Sequence, residues 1–207
     1  MNKKEIRYVL TVLTREYPDC RPTLNYSTVF ELLVATVLSA QCTDKRVNIV
    51  TDLLFSRYTT VEAFSRADPE CVQELIRSTG FFRNKARNII AAAQIIMSRH
   101  EGRVPSTMKE LTMLPGVARK TANIVLYHGF GLNEGIAVDT HVKRMSNRLG
   151  LSESENPDCI EKDLMHVFPR SVWGSVNGLF VTHGRRICKA RRPDCHSCVV
   201  SKYCRFY

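Results

Sequence analysis

The chain has 207 residues, 30 of them Lys or Arg against 20 Asp or Glu, so it carries a formal charge of +10, which argues for an anionic partner. Apolar residues at 44% and charged residues at 24% are the balance of a folded globular protein, so the surplus charge sits on a structured surface and not on a disordered tail. Charge-free stretches such as Leu32 to Thr43 and Thr121 to Asn133 fall short of the roughly 20 apolar residues that a spanning helix needs, and the N-terminus lacks the apolar core of a signal peptide; a soluble, cytoplasmic chain with no membrane role is expected.

In chain order, Ile6, Val9, Leu10 and Leu13 recur at helical spacing. Phe30, Leu33, Val34, Val37 and Leu38 do so behind an expected N-cap at Ser27, and Val47, Val50, Leu53 and Leu54 after Asp44. Asp68-Pro69-Glu70 supplies a cap, a proline at the first helical position and an acid in the first turn, with Gly80 as the C-terminal stop. Ala86, Ile89, Ile90, Ala93, Ile96 and Met97 mark a helix from Asn84 to Arg99-His100 that stops at Gly102; basic residues suit its negative end. Ser106 is expected to cap a short helix through Met113. Leu114-Pro115-Gly116-Val117-Ala118 then forms a tight hairpin, and helical spacing resumes from Arg119 to Tyr127. Asp139 or Thr140 caps a helix ending at Gly150, and Pro157 to His183 reads as two helices broken at Pro169. With no strand pattern and no repeat, the fold class is all-α with about ten helices. The turn from Gly129 to Gly135 is the best candidate for a domain boundary.

The eight cysteines fall into two groups. Cys20, Cys42, Cys71 and Cys159 are scattered and predict buried core thiols. Cys188, Cys195, Cys198 and Cys204 have six, two and five residues between them, four thiolates that suit one tetrahedral zinc or one four-iron cluster; the spacing leaves both open. In a reducing compartment either is favoured over disulfides. Around them Arg185, Arg186, Lys189, Arg191, Arg192, Lys202 and Arg205 face a single acid, Asp194. Such a loop repels itself unless a metal group holds it, and it makes a phosphate-binding surface once held.

A helix, a Pro-Gly hairpin and a second helix put backbone N–H groups at a helix N-terminus with little bulk in front, a nest suited to a phosphate oxygen. An ordinary helix–helix turn has the same outline; the continuation Arg119-Lys120-Thr121-Ala122-Asn123 shifts the odds toward the phosphate nest. Leu114 to Asn123 closely resembles the helix-hairpin-helix element of the endonuclease III family of DNA glycosylases. Val138-Asp139-Thr140-His141-Val142 is similar to that family's second signature, and the resemblance extends to Leu38-Ser39-Ala40-Gln41 and to the terminal cysteine run. It spans essentially the whole chain. One departure is Ala118, where the family's hairpin has a second glycine; a negative φ tolerates the methyl group.

The resemblance implies a two-lobed helical glycosylase: a six-helix domain of residues 22–133 with the hairpin, and an iron–sulfur domain of residues 1–21 plus 134–207, with DNA across the cleft between them. It implies that Lys120 attacks C1′ of a flipped nucleotide to form a Schiff base, aided by a partly desolvated place in the first helical turn beside Arg119. Asp139 is implied to stabilise the oxocarbenium-like sugar and to assist proton transfers; by itself it is simply a helix cap. Loss of a C2′ proton then allows β-elimination of the 3′ phosphate, so glycosylase and abasic-site lyase activities are both implied. Relatives that only remove the base commonly lack this lysine, which points to oxidised pyrimidines such as thymine glycol.

Further residues follow from the same resemblance. Gln41 is implied to fill the gap in the duplex, with Phe81 of Gly80-Phe81-Phe82 as a second wedge, although paired phenylalanines are more often core. Leu114, Gly116, Ala118, Arg119, His141, Arg186, Lys189, Arg191 and Arg192 are the other expected DNA contacts. Cys188, Cys195, Cys198 and Cys204 are the expected ligands of a 4Fe-4S cluster. The expected partner is double-stranded DNA with damaged pyrimidines or abasic sites, met by a monomer at the nucleoid. The alternatives are an adenine- or thymine-mismatch glycosylase, and a non-catalytic hairpin protein in which Lys120 only contacts phosphate.

Overall fold

A computed structural model describes residues 1–20 and 23–207. Among these are eleven α-helices, three short 3-10 helices and no strand. Helix α1 (Lys3–Glu16) opens on a capping box in which the Asn2 side chain accepts the Lys4 and Glu5 N–H groups and Glu5 accepts from the Asn2 N–H at 2.8 Å. The caps of α2 (Val29–Leu38) and α3 (Asp44–Arg57) are Thr28, one residue past the expected Ser27, and Thr43. Thr28 precedes Glu31 by three residues, and the Glu31 carboxylate takes the Ser27 N–H, so the Thr-x-x-Glu pair outcompetes the lone serine. The same pairing with Glu110 makes Thr107, and not Ser106, the cap of α7 (Met108–Thr112).

After the short α4 (Val61–Ser65), Asp68 and Pro69 open α5 (Pro69–Ile76). Helix α6 covers Phe82–Arg99, starting ahead of Asn84. Helix α8 (Arg119–Phe130) outruns its apolar pattern, so Gly129 is helical and not part of a turn; a Cβ there would stand 2.8 Å from Val29 Cγ1 of α2, and its absence lets the helices close. Three helices follow: α9 (Thr140–Leu149), α10 (Pro157–Val167) and α11 (Trp173–Arg186), the last two parted after Pro169 by one 3-10 turn, Arg170–Val172. Among the described residues no helix is long and apolar enough to cross a membrane.

The chain divides into two compact units, Met1–Pro22 with Leu132–Tyr207, and Thr23–Gly131. The sequence-based boundary between residues 21 and 22 lies outside the described residues. In the Thr23–Gly131 unit, α6 packs against α4 and α5 while α2 packs against α8. Its core gathers Leu33, Leu54, Ile76, Ile96, Leu111 and Leu126, with Phe30 edge-on to Phe64 at 5.1 Å. In the other unit α11 packs against α9 and α1, and α10 against α9, burying Val9, Leu13, Met145, Leu149, Leu164 and Phe180. Burying these apolar faces drives both assemblies.

None of the four scattered cysteines is a buried core thiol. Cys20, Cys42 and Cys71 are half-buried and Cys159 is exposed. The reason is register: α5 buries Val72 and Ile76, and α10 buries Ile160 and Leu164, so Cys71 and Cys159 lie beside the apolar stripe instead of on it.

Candidate active site

The hairpin is built from backbone turns. Leu114 N–H donates to Leu111 C=O and Val117 N–H to Leu114 C=O, both at 3.1 Å. The Leu114 side chain is buried in the core, so it anchors the hairpin and, contrary to the sequence-based expectation, has no surface to offer DNA. Gly116 has φ +79, and a Cβ there would meet Asn88 Nδ2 at 2.9 Å; both the left-handed backbone and the close approach require glycine. Ala118 has φ −82 and ψ 168, extended backbone that any residue adopts, so replacing the second glycine adds a methyl without strain. As the N-cap of α8 it also supplies no oxygen, and no side chain caps that helix. An uncapped N-terminus leaves the positive end of the dipole available to an outside anion.

Lys120 is the second residue of α8 and is exposed, as are Arg119 and Ala118. The partial desolvation expected for Lys120 is therefore absent from the free protein. Asp139 is the N-cap of α9: Oδ1 accepts the His141 and Val142 N–H groups at 2.8 and 2.9 Å. Capping fixes the carboxylate rigidly, so the structural role and a chemical one coexist. His141 is half-buried, and its Nδ1 lies 2.9 Å from Arg144 Nη2. Burial above all, then the Arg144 and Arg185 charges, push its pKa down against the opposing pull of Asp139.

Gln41 and Phe81 occupy exposed loops beside α2 and α6, and both have left-handed backbone, φ 55 and φ 48. The two phenylalanines part company: Phe82 packs on the core, whereas Phe81 is 66% exposed. Phe81 thus holds a large apolar ring in solvent on left-handed backbone.

The terminal loop converges on one small cavity lined by all four of Cys188, Cys195, Cys198 and Cys204. Burial raises the Cys198 thiol pKa first, and the other three cysteines raise it further by proximity. Among the described residues no three His, Cys, Asp or Glu side chains stand close enough to share one metal ion, so the thiols surround the cavity instead of meeting at a point. An all-sulfur donor set around a cavity fits an iron–sulfur cluster.

Sequence reasoning missed the side chains that build this loop. Arg148 Nη1 donates to Cys188 Sγ at 3.2 Å and to Lys189 C=O at 3.0 Å, Nη2 donates to Ala190 C=O, and the guanidinium lies 4.0 Å from the Phe206 ring centroid. Arg144 Nε donates to Cys188 C=O and Nη2 to Gly184 C=O. Buried His183 has Nδ1 at 2.9 Å from Tyr17 Oη and Nε2 at 3.4 Å from Cys198 Sγ; with the proton on Nε2 the ring donates to sulfur and accepts from the phenol. The only signal was the spacing of Arg144 and Arg148 on one face of α9, which does not name a target.

The loop's basic residues are not equivalent. Arg186, Lys189, Arg191, Arg192 and Lys202 are exposed, and Arg186 also lies 5.5 Å from the Tyr17 ring centroid. Arg185 and Arg205 are exposed as well, and Arg205 pairs with Glu153 at 3.1 Å.

Comparison with known proteins places this arrangement in a class. Residues 34–170 match the model of HhH-GPD superfamily base excision DNA repair proteins, and residues 188–204 match the iron-sulfur binding domain of endonuclease III. Over 202 residues the chain is 49% identical to endonuclease III of Synechocystis sp., covering 98% of this chain and 92% of that protein. It superposes with a TM-score of 0.94 at 42% identity on a trapped endonuclease III–DNA covalent intermediate in an estranged-adenine complex, covering 99% of this chain and 96% of the other. A thermostable thymine-DNA glycosylase shares the fold, with a TM-score of 0.87 at 23% identity. The chain belongs to the endonuclease III family within that repair superfamily.

Proposed function

We propose that the protein, a base-excision glycosylase and abasic-site lyase, removes oxidised pyrimidines such as thymine glycol from double-stranded DNA, with Lys120 as nucleophile and Asp139 as catalytic carboxylate. The observation that carries this is an amine at the second position of an uncapped helix. The hairpin and the start of α8 grip a backbone phosphate, and Lys120, next to Arg119, meets the sugar of a flipped nucleotide. The amine bonds to C1′ while the glycosidic bond breaks and the base leaves with a proton; ring opening gives the Schiff base. Removal of a C2′ proton expels the 3′ phosphate, and water hydrolyses the imine to free Lys120. Because Lys120 is exposed in the free protein, its amine is taken out of water only when DNA is bound. With Asp139 Oδ1 engaged by two N–H groups, the carboxylate is held rigid, and its role is to stabilise the positive charge that develops on the sugar and to carry protons.

Gln41 and Phe81 fill the space left in the duplex. Arg186, Lys189, Arg191 and Arg192 bind phosphates without reading sequence. The four loop cysteines hold the 4Fe-4S cluster, whose iron–thiolate bonds cross-link a segment with little regular structure of its own. The protein works as a monomer on nucleoid DNA, since a single flipped nucleotide gives a second copy nothing to read.

Duplexes carrying one thymine glycol, one mispaired adenine or one mispaired thymine test this directly. Strand cleavage at thymine glycol is expected; excision confined to the mismatches, without strand cleavage, would overturn it. Asp139→Asn keeps an oxygen for both α9 N–H groups, so Tm is expected to hold within about 1–2 °C. Single-turnover excision in that variant falls on the order of 100- to 1,000-fold. An unaltered rate would reduce Asp139 to a cap.

A further inference from the structure

Gln41 and Phe81 are non-glycine residues in left-handed backbone, a strained state that persists only where the surroundings hold it. One side chain holds both loops. Lys85, in the first turn of α6, is 6% exposed, and its Nζ donates three hydrogen bonds of 2.8 Å each, to the carbonyls of Leu38, Ala40 and Thr79. Leu38 ends α2, Ala40 immediately precedes Gln41, and Thr79 ends the 3-10 turn that leads into Gly80 and Phe81. The Lys85 backbone N–H takes a fourth carbonyl, that of Phe81, at 3.1 Å.

This position otherwise asks for an apolar residue. The other buried residues of α6 are Ala86, Ile89, Ile90, Ala92, Ala93 and Ile96, and lysine is rarely buried without a specific partner. Here the partners are a complete set: an ammonium has three protons and no acceptor, and three carbonyls use all of them. The charge also sits at the carbonyl end of α2, where the dipole favours a cation and where the last carbonyls lack helical donors. The Ala35, Thr36 and Val37 carbonyls are taken by Ser39 N–H, Ser39 Oγ and Ala40 N–H; that of Leu38 is left to Lys85. Burial pushes the lysine pKa down from its ordinary value, which is the cost of keeping a cation in this place.

We propose that Lys85 is a positioning residue for base excision: by tying the Gln41 loop and the Phe81 loop to one ammonium, it sets the two gap-filling side chains in register with each other. This rests on the gap-filling roles proposed above. An apolar side chain would fill the volume but leave inward-facing carbonyls from both loops unanswered, and each loop would then relax separately.

A single-stranded abasic oligonucleotide presents C1′ with no stack to open, so it needs Lys120 and not the gap-filling loops. Lys85→Met is expected to lose on the order of 100-fold in kcat/KM on duplex DNA with a thymine glycol or an abasic site, and to stay within about threefold on the single strand. Gln41→Ala and Phe81→Ala should show the same split. Equal losses of Lys85→Met on both substrates overturn the positioning role, as does full duplex cleavage by Lys85→Met where Gln41→Ala and Phe81→Ala are impaired. Full duplex cleavage by Gln41→Ala and Phe81→Ala overturns the gap-filling assignment instead. Should Lys85→Met fail to fold by circular dichroism, Lys85→Gln, with two uncharged donors, decides by the same comparison.

Discussion

Lys120→Gln is expected to abolish the covalent adduct that borohydride traps with abasic or thymine-glycol duplex, while the variant still binds DNA. Removing a nucleophile from a covalent mechanism costs on the order of 10,000-fold in turnover, whereas removing one exposed cation costs about one unit in the slope of log affinity against log salt. The two magnitudes separate the readings cleanly. If Lys120 were only a phosphate contact, binding would weaken and adduct would still form through another amine; an undiminished adduct yield sinks the nucleophile assignment. The structure adds a reason to expect intact folding. Lys120 is exposed on α8, while the helix is anchored by buried Ala122, Val125 and Leu126.

The second large effect is expected on losing the cluster. Cys198→Ser, which removes a half-buried ligand beside His183, should bleach the iron–thiolate absorption and expose the loop to trypsin at Lys189, Arg191, Arg192 and Lys202. The loop has one 3-10 turn, Ser201–Tyr203, and with the end of α11 it carries seven exposed basic residues, Arg185, Arg186, Lys189, Arg191, Arg192, Lys202 and Arg205, so repulsion opens it once the cross-link is gone. If four of these cations cease to meet phosphate, the salt slope of DNA affinity should shrink by about 3–4. The core of the Thr23–Gly131 unit contains none of the loop's residues, and its helical signal should survive. Retained colour, an unchanged tryptic pattern and an unchanged salt slope would together remove the structural role of the cluster.

Much of the fold was legible because its signals are local. Asp68-Pro69 and Asp139 capped where capping chemistry requires, and the glycines at 80, 102 and 150 all have left-handed backbone near helix ends. The misplaced caps were also local errors: Ser27 and Ser106 lost to Thr28 and Thr107 because each threonine has a glutamate three residues on. The terminal loop was legible as a ligand set but not as an architecture. Arg144, Arg148 and His183 reach it from α9 and α11, over separations of about forty residues or from a buried helix face, and periodicity records only that such residues share a stripe.

The sequence by itself determined the all-α class, the hairpin, the four clustered thiols and the positive charge around them, since composition, caps and short motifs act within a few residues of each other. Only the tertiary structure decided what depends on burial and on backbone conformation. It exposed Phe81 while burying Phe82, removed Leu114 from the DNA face, left Lys120 in water and made Ala118 harmless through its φ of −82. It also turned Lys85 from one more basic residue on a helix into the link between two loops nearly forty residues apart. Carbonyls that converge in space have no side-chain signature, so no reading of residue types could have found the cation that joins them.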